Sequence, residues 1–464
     1  MIAVPPNYAT ALQAFTAGKI IYTVEIAGYG RVFSNDSGYG NAPWLGAIDD
    51  MSVTIEDVDG GADQISFGFS VQDRGQLITG DFPSFTFEGK AVTIKTGFPG
   101  MDYADFAVLF NGLVDSVSSI NSNLDYYFNL LDISDVLAKV IFPLGNDGKN
   151  APSSDNPLTL NAHPLDILLN ILLTEVGLDS PLVDSAKIEA YRDGPFAGIQ
   201  FIYEVSQSPA ALDFITAQIM KPLGGYAWIN SKGQVTVNFF YPLAGPVAVF
   251  NFNPSVWTSI PSADQISSNA SRDMINTVQF QFDKDDRDSG GSGNYLSQDT
   301  EEYGPSVSLY GVYGETVIQA DGLRSAFQGF FISKLISRLI FLRYGLKTLL
   351  IDSNAADSLW NSVLLEPGDI VSVTHDKIPD RKNGVMGITN KLFEIISKAV
   401  HFTTGTVTYS MLDASYLSTF GFFKIAPTGE GDYTTVSAGD KAKYEFFSND
   451  SAEYSNGDAG NVLG

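Results

Sequence analysis

Between residues 19 and 135 the chain alternates apolar and polar residues in six short runs: "KIIYTVEIAG", "MSVTIEDVDG", "QISFGFSVQD", "KAVTIKTGF", "FAVLFNGLVDSVSS" and "LDYYFNLLDIS". Successive side chains of a strand point to opposite faces, so period two sustained over this many runs demands half-buried strands. Clusters of Gly, Asn and Asp between the runs supply turns. An antiparallel barrel or sandwich is expected.

The period changes after about Ala138. A polar, Pro-bearing loop, "GNDGKNAPSSDNP", leads to "LNAHPLDILLNILLTEVGL", where Leu165, Leu168, Leu169, Leu172 and Leu173 recur at helical spacing. Asn161 is the expected cap of this helix, Pro164 fits its first turn, Asp166 complements its dipole and Gly177 stops it. A second helix is expected in "SPAALDFITAQIMKPLGG", with Ser208 as N-cap and Pro209 at the first position. "GYAWINSKGQVTVNFFYP" reads as a hairpin with Ser231-Lys232-Gly233 in its turn. The segment is therefore an α+β insert.

Alternation resumes with "INTVQFQFDKDD" and runs into "DKDDRDSGGSGNYLSQDTEE", whose charge and Gly/Ser content predict a solvated loop. A helix follows at about 322–343. Leu323, Phe327, Phe330, Phe331, Leu335, Leu339 and Leu342 fall largely on one side of it, with Arg324, Lys334, Arg338 and Arg343 elsewhere. Strands continue from Lys347 to Leu412. The last fifty residues predict one hairpin and a flexible tail.

A chain of 464 residues with 44% hydrophobic and 17% charged residues buries a large core, divided over about three domains. It has no cysteine, which excludes disulfides, thiolate metal sites and a cysteine nucleophile. Three histidines, at 163, 375 and 401, leave little for imidazole chemistry. A net charge of −26 opposes ordinary nucleic-acid binding. The N-terminus shows no basic region followed by an apolar run, so no secretory signal is expected. Lys334, Arg338, Arg343 and Lys347 interrupt the most apolar stretch, so no stable membrane insertion is expected.

Candidate chemistry is sparse. "LEPGDIVSVTHD" ends in His375-Asp376, but neighbours on a strand point to opposite faces and are ill placed to act as a base and its orienting carboxylate. The stretch is instead expected to close a barrel wall, entered through the Pro367-Gly368-Asp369 turn, and His375→Gln should leave assembly intact. His401 lies in alternating strand sequence and reads as a barrel-surface residue. The acidic clusters lack the spacing of a calcium loop, and no phosphate-binding loop or nucleophile elbow is present. Tyr and Gly recur together in "GYGRVFSNDSGYGNAPWLG" and "LYGVYGET", a composition shared by carbohydrate platforms and subunit interfaces, the interface being the better fit. No residue is assigned to catalysis, a cofactor or a metal.

The order of features from 160 onward resembles the tail hub, or tail-tip, proteins of bacteriophages with long non-contractile tails. The likeness is carried by "NAHPLDILLNILLTEVGL", by "DFITAQIMKPLGGYAWINSKGQVTVNFFYP", and by a helix ending in Arg-Tyr followed by "LKTLLIDSNAADSLWNSVLLEPGDIVSVTH" and "NKLFEIISKAVHFTTGTVTYSML". "YTVEIAGYGRVFSN" and "FEGKAVTIKTGFPGMDYADFAVLFNGLVDSV" fit the first barrel of that family. The likeness spans residues 15 to 415 and rests on pattern and order, with no catalytic signature.

The resemblance implies a β-rich α+β fold with two β-barrel-like domains flanking an inserted α+β domain. The first barrel is residues 1–138, the insert 139–265, the second barrel 266–415 and a small C-terminal extension 416–464. It further implies a structural virion protein made in the bacterial host cytoplasm. As a homotrimer it would present a pseudo-sixfold ring, joining the distal tail or tail-tube protein to tip or fibre proteins. DNA would be a partner only in transit, through an acidic lumen that repels phosphate. A receptor-binding adhesin for a surface glycan and a cell-wall-degrading tail hydrolase are the competing readings.

Overall fold

The computed structural model describes residues 4–14, 19–40, 44–56, 59–120, 125–141, 158–205, 208–240, 251–252, 266–268, 274–285, 295–312, 314–345, 349–353, 363–380 and 383–414. The expected polar loop at 145–157 and the C-terminal hairpin and tail of 416–464 lie outside them.

A short helix, α1 (Pro6–Ala14), opens the chain. The six alternating runs all form strands: β1 (Ile21–Ile26), β4 (Met51–Glu56), β6 (Ser66–Gln72), β7 (Ala91–Gly97), β8 (Ala107–Ile120) and β9 (Asp125–Leu131). Two further strands, β2 (Val32–Ser34) and β3 (Trp44–Ile48), come from the Tyr/Gly segment. The order β1-β2-β3-β6-β9-β8-β7, with β7 pairing back onto β1, closes a seven-stranded barrel. Closure leaves no free strand edge.

The barrel is filled, not hollow. Phe33, Phe69, Phe87 and Phe128 are wholly buried, and Phe69 and Phe128 stack at 4.8 Å. Tyr29 of the first Tyr/Gly segment packs among Phe33, Phe85 and Phe87, so it belongs to the core of its own chain. A short helix, α2 (Leu77–Asp81), packs against this aromatic group through the buried Ile78.

β4 leaves the barrel. It pairs with the two-residue β5 (Gly61–Ala62) and with a distant strand of the C-terminal half. After α3 (Ser134–Lys139), the insert begins with β10 (Leu158–Ala162), followed by α4 (Pro164–Asn170), which runs on as a π-helical turn to Glu175. Gly177 takes φ 73° and ends it, as expected. Leu165, Leu168 and Leu172 are buried, while Leu173 is exposed. Then come α5 (Ser185–Asp193), β11 (Phe201–Val205) and α6 (Ala211–Phe214). The expected hairpin forms from β12 (Gly225–Ile229) and β13 (Val235–Phe239), with Gly233 at φ 71° in its turn.

Two helix starts differ from expectation. The cap of α4 is His163, whose Nδ1 accepts from the Leu165 amide at 3.1 Å; Asn161 lies on β10 and accepts from Gln200. The second helix starts at Ala211, not Pro209, and its first amide donates to the Val140 carbonyl at 2.8 Å. A backbone acceptor from a neighbouring segment replaces the serine cap.

Two short strands, β14 (Asn251–Phe252) and β15 (Ile266–Ser268), precede β16 (Thr277–Lys284). The segment read as a solvated loop contains an edge strand, β17 (Tyr295–Glu302), whose acidic residues mimic loop composition while protecting a free edge. After α7 (Gly304–Tyr310), β18 (Glu315–Ala320) completes the sheet β17-β16-β18. Helix α8 (Ala326–Tyr344) packs on this sheet. Phe330, expected inside, is 44% exposed, and Arg343, expected outside, is wholly buried.

The last strands are β19 (Leu349–Ser353), β20 (Ile370–Asp380), β21 (Val385–His401) and β22 (Thr406–Asp413). They join β14, β15, β4 and β5 in an eight-stranded sheet that stays open among the described residues, where a second barrel was expected. Apolar packing falls into two cores. One unites the barrel with β20, β21 and β22, and the other unites the insert with β16, β18 and α8.

Candidate functional site: a polar seam between two cores

The turn in "LEPGD" lies where these cores meet. Glu366-Pro367-Gly368-Asp369 is closed by the Asp369 amide donating to the Glu366 carbonyl at 3.0 Å, with Gly368 at φ 83°. Pro presets the first central torsion, and a residue without Cβ supplies the second. Space demands glycine as well: a Cβ at 368 would stand 2.0 Å from Asn238 Nδ2 and 2.7 Å from the Tyr226 hydroxyl. The Gly368 amide donates to the Ile395 carbonyl at 2.7 Å, and the Ile395 amide donates to the Asp369 carbonyl at 3.0 Å. The Ser231 amide, in the insert hairpin, donates to Glu366 Oε1 at 2.9 Å. The turn thus binds β21 on one side and the insert on the other.

Beside it, Glu394 of β21 accepts from the Tyr226 hydroxyl at 3.0 Å and forms an ion pair with Arg343. Arg343 also donates to the Tyr344 hydroxyl at 3.0 Å, and its guanidinium lies 5.2 Å from the centre of the Phe240 ring. A fully buried guanidinium needs this partner, because desolvating an unpaired ion costs several kcal/mol.

Lys398, four residues further along β21, is buried and donates to the Val363 carbonyl at 2.6 Å. Burial pushes its ammonium down to about 8, against the opposing pull of Glu366 and Asp369. Lys187 of α5 faces Asp184, Glu366 and Asp369, and burial holds it below the usual lysine range. The seam therefore gathers cations and carboxylates from α5, α8, β21 and the Glu366–Asp369 turn, with a tyrosine hydroxyl from β12. Each bond described here joins groups of the same chain, and the geometry serves to lock two cores in one register.

A second joint couples the barrel to the open sheet. β4 pairs with β21 at Val53–Lys398 and Met51–Val400, reinforced by the Thr54–Ser397 hydroxyl pair at 3.0 Å. Phe402, at the start of the β21–β22 turn, is 4% exposed and packs edge-on to Tyr22 at 5.3 Å and parallel to Phe67 at 6.2 Å. His401 adds a polar clasp: Nδ1 lies 2.7 Å from Asp50 Oδ2 and Nε2 3.2 Å from Thr408 Oγ1. The sequence places His401 on a surface. What it does not reveal is the partner, Asp50, from the opposite end of the chain.

His163 is structural in its contacts. Nε2 donates to the Phe196 carbonyl at 2.9 Å while Nδ1 caps α4, and burial holds the ring below the usual imidazole range. His375 is on β20, with its backbone opposite Ile388; its side chain and that of Asp376 are outside the described set. Among the described residues no group of three or more His, Cys, Asp or Glu is placed to hold a metal. No described helix is long and apolar enough to cross a membrane.

No protein-family model matches the chain, and no curated protein matches it. Solved structures with some likeness include a 43 kDa tail protein of prophage MuSo2 from Shewanella oneidensis, with TM-score 0.48, 9% identity, and coverage of 86% of this chain and 99% of that one. A tail protein from Neisseria meningitidis MC58 gives TM-score 0.47 at 13% identity, covering 86% and 98%. Prophage tail protein gp18 from Listeria monocytogenes EGD-e gives 0.45 at 13%, covering 86% and 97%.

Proposed function

We propose that the chain is a structural component of a tailed-bacteriophage virion, a baseplate hub or tail tip, assembled in the host cytoplasm. Three copies form a ring between the hexameric tail and the tip or fibre proteins. The observation that carries this reading is the double joint: β21 pairs with β4, the strand that leaves the barrel segment, and its end packs on the barrel through Phe402, while the insert is locked to the same strand through Glu394. A load-bearing ring needs units that cannot turn against one another, and both joints supply that.

The filled barrel adds a geometric consequence. Its interior is occupied by Phe33, Phe69, Phe87 and Phe128, so DNA in transit passes between copies and not through a barrel. A chain of net charge −26 favours an acidic wall for that passage. Native mass measurement tests the ring. The expected mass is three times the 50.1 kDa of one chain; a monomer at tens of micromolar contradicts it.

A further inference from the structure

Two exposed corners of the molecule carry apolar side chains, one beside an exposed arginine and the other beside exposed glutamates. The first is the loop around α2 at the barrel rim. Leu77 is 37% and Phe82 39% exposed, and Trp44, whose backbone is opposite Gln72 at the end of β6, is 45% exposed on the same rim. Arg74 is exposed beside them and pairs with no carboxylate among the described residues. The loop is rigidly presented: the buried Asp73 carboxylate accepts from the Leu77 amide at 2.7 Å and the Thr79 amide at 3.0 Å, and Ile78 anchors it in the core. Gln76 holds a left-handed φ of 56°, a conformation that costs a non-glycine residue energy unless its surroundings impose it.

The second corner is the "LYGVYGET" segment at the end of α7. Leu309 is 67% and Val312 63% exposed. Glu302 and Glu315, both exposed, flank it, because each is in register with Thr277 from opposite sides of β16. This corner is also fixed, by Asn276 Nδ2 donating to the Gly311 carbonyl at 2.8 Å and by Tyr303 stacking on Phe341 at 5.6 Å.

We propose that these corners meet between neighbouring copies, the α2 rim of one against the α7 corner of the next. The occupant of each is thus a second copy of this chain. Apolar side chains supply the buried contact, and Arg74 faces Glu302 and Glu315, a pairing that favours this partner over like-charged surfaces. Because the two surfaces differ, the contact is head-to-tail, the kind that closes a ring when the rotation allows it. The inference rests on the ring reading above and names the surface that would build it.

The absence of cysteine makes the test clean. A Leu77→Cys/Val312→Cys chain, oxidised at micromolar concentration, should form disulfide-linked oligomers ending at a trimer. An equimolar mixture of the two single variants should stop at a dimer, and each single variant alone should stay monomeric on a non-reducing gel. Arg74→Glu introduced into the double variant should lower the cross-linked yield at least tenfold, and Glu302→Lys/Glu315→Lys should restore it. If Leu77→Cys alone dimerises as readily as the mixture, the contact is symmetric and the proposal is overturned. If the double variant keeps the parent's circular dichroism and native trimer mass yet gives no cross-link, this contact falls and the ring stands. A monomeric parent overturns both.

Discussion

The two joints on β21 hold their partners by opposite means. Around Phe402 the contact is continuous with the barrel core, made of rings and sheet hydrogen bonds, with a part-exposed His401–Asp50 pair at its edge. Around Glu394 it is a buried ionic seam separating one apolar core from another. Apolar joints tolerate small slips at modest cost, whereas a buried ion pair has one good geometry, and removing one partner strands the other. The difference teaches that the barrel and open sheet are welded, while the insert is keyed.

The largest effect should come from breaking the key. Arg343→Met leaves Glu394 buried without its ion partner and should destabilise by about 3–5 kcal/mol in denaturant melts. Arg343→Met/Glu394→Leu should recover most of that loss; if the double variant is as unstable as the single one, the seam is not an ion-pair lock. Phe402→Ala should cost about 3 kcal/mol by opening a cavity at the weld. Equal losses in the Phe402 variant and the Arg343/Glu394 double variant would erase the contrast.

Gly368→Ala sharpens it further, since the substitution meets both a left-handed φ and the side chains of Asn238 and Tyr226. A loss of about 2 kcal/mol is expected, with unfolding still cooperative. The seam should also respond to alkali. The Lys398 ammonium is depressed in the fold to about 8 from its ordinary 10.5, so the unfolded chain holds more protons between those values and this group's contribution rises with pH across them. Above pH 10 the opposite sign takes over: burial raises Tyr127 to about 12, and Tyr22 and Tyr29 beyond it, so their contribution is lost as pH climbs. Urea midpoints should therefore climb from pH 8 toward 10 and fall above it, and Lys398→Met should flatten the climb. The smallest effect belongs to the exposed pair at the weld: His401→Gln should change stability by less than about 1 kcal/mol.

Much of this architecture is written locally. Six strands, the insert hairpin, the Gly177 stop and the Pro-Gly turn follow from period and turn chemistry, which depend on neighbours in sequence. β2 and β3 escape because they are short and lie in a Gly/Tyr-rich segment, and β17 escapes because edge protection uses the same acidic residues as a solvated loop. The seam is illegible for a different reason. A helical wheel correctly separates most of the apolar face of α8 from its charges, yet nothing local says that Arg343 will find Glu394 fifty-one residues later. Likewise, Asp50 and His401 are 351 residues apart. Partners that distant are fixed by tertiary packing, and the sequence supplies only their chemistry.

The central claim is a place in the virion, and immunogold labelling of intact particles tests it most directly. The account predicts gold confined to the end of the tail remote from the head, at the junction with the tip. Label distributed along the tail shaft, or on the capsid, would contradict it.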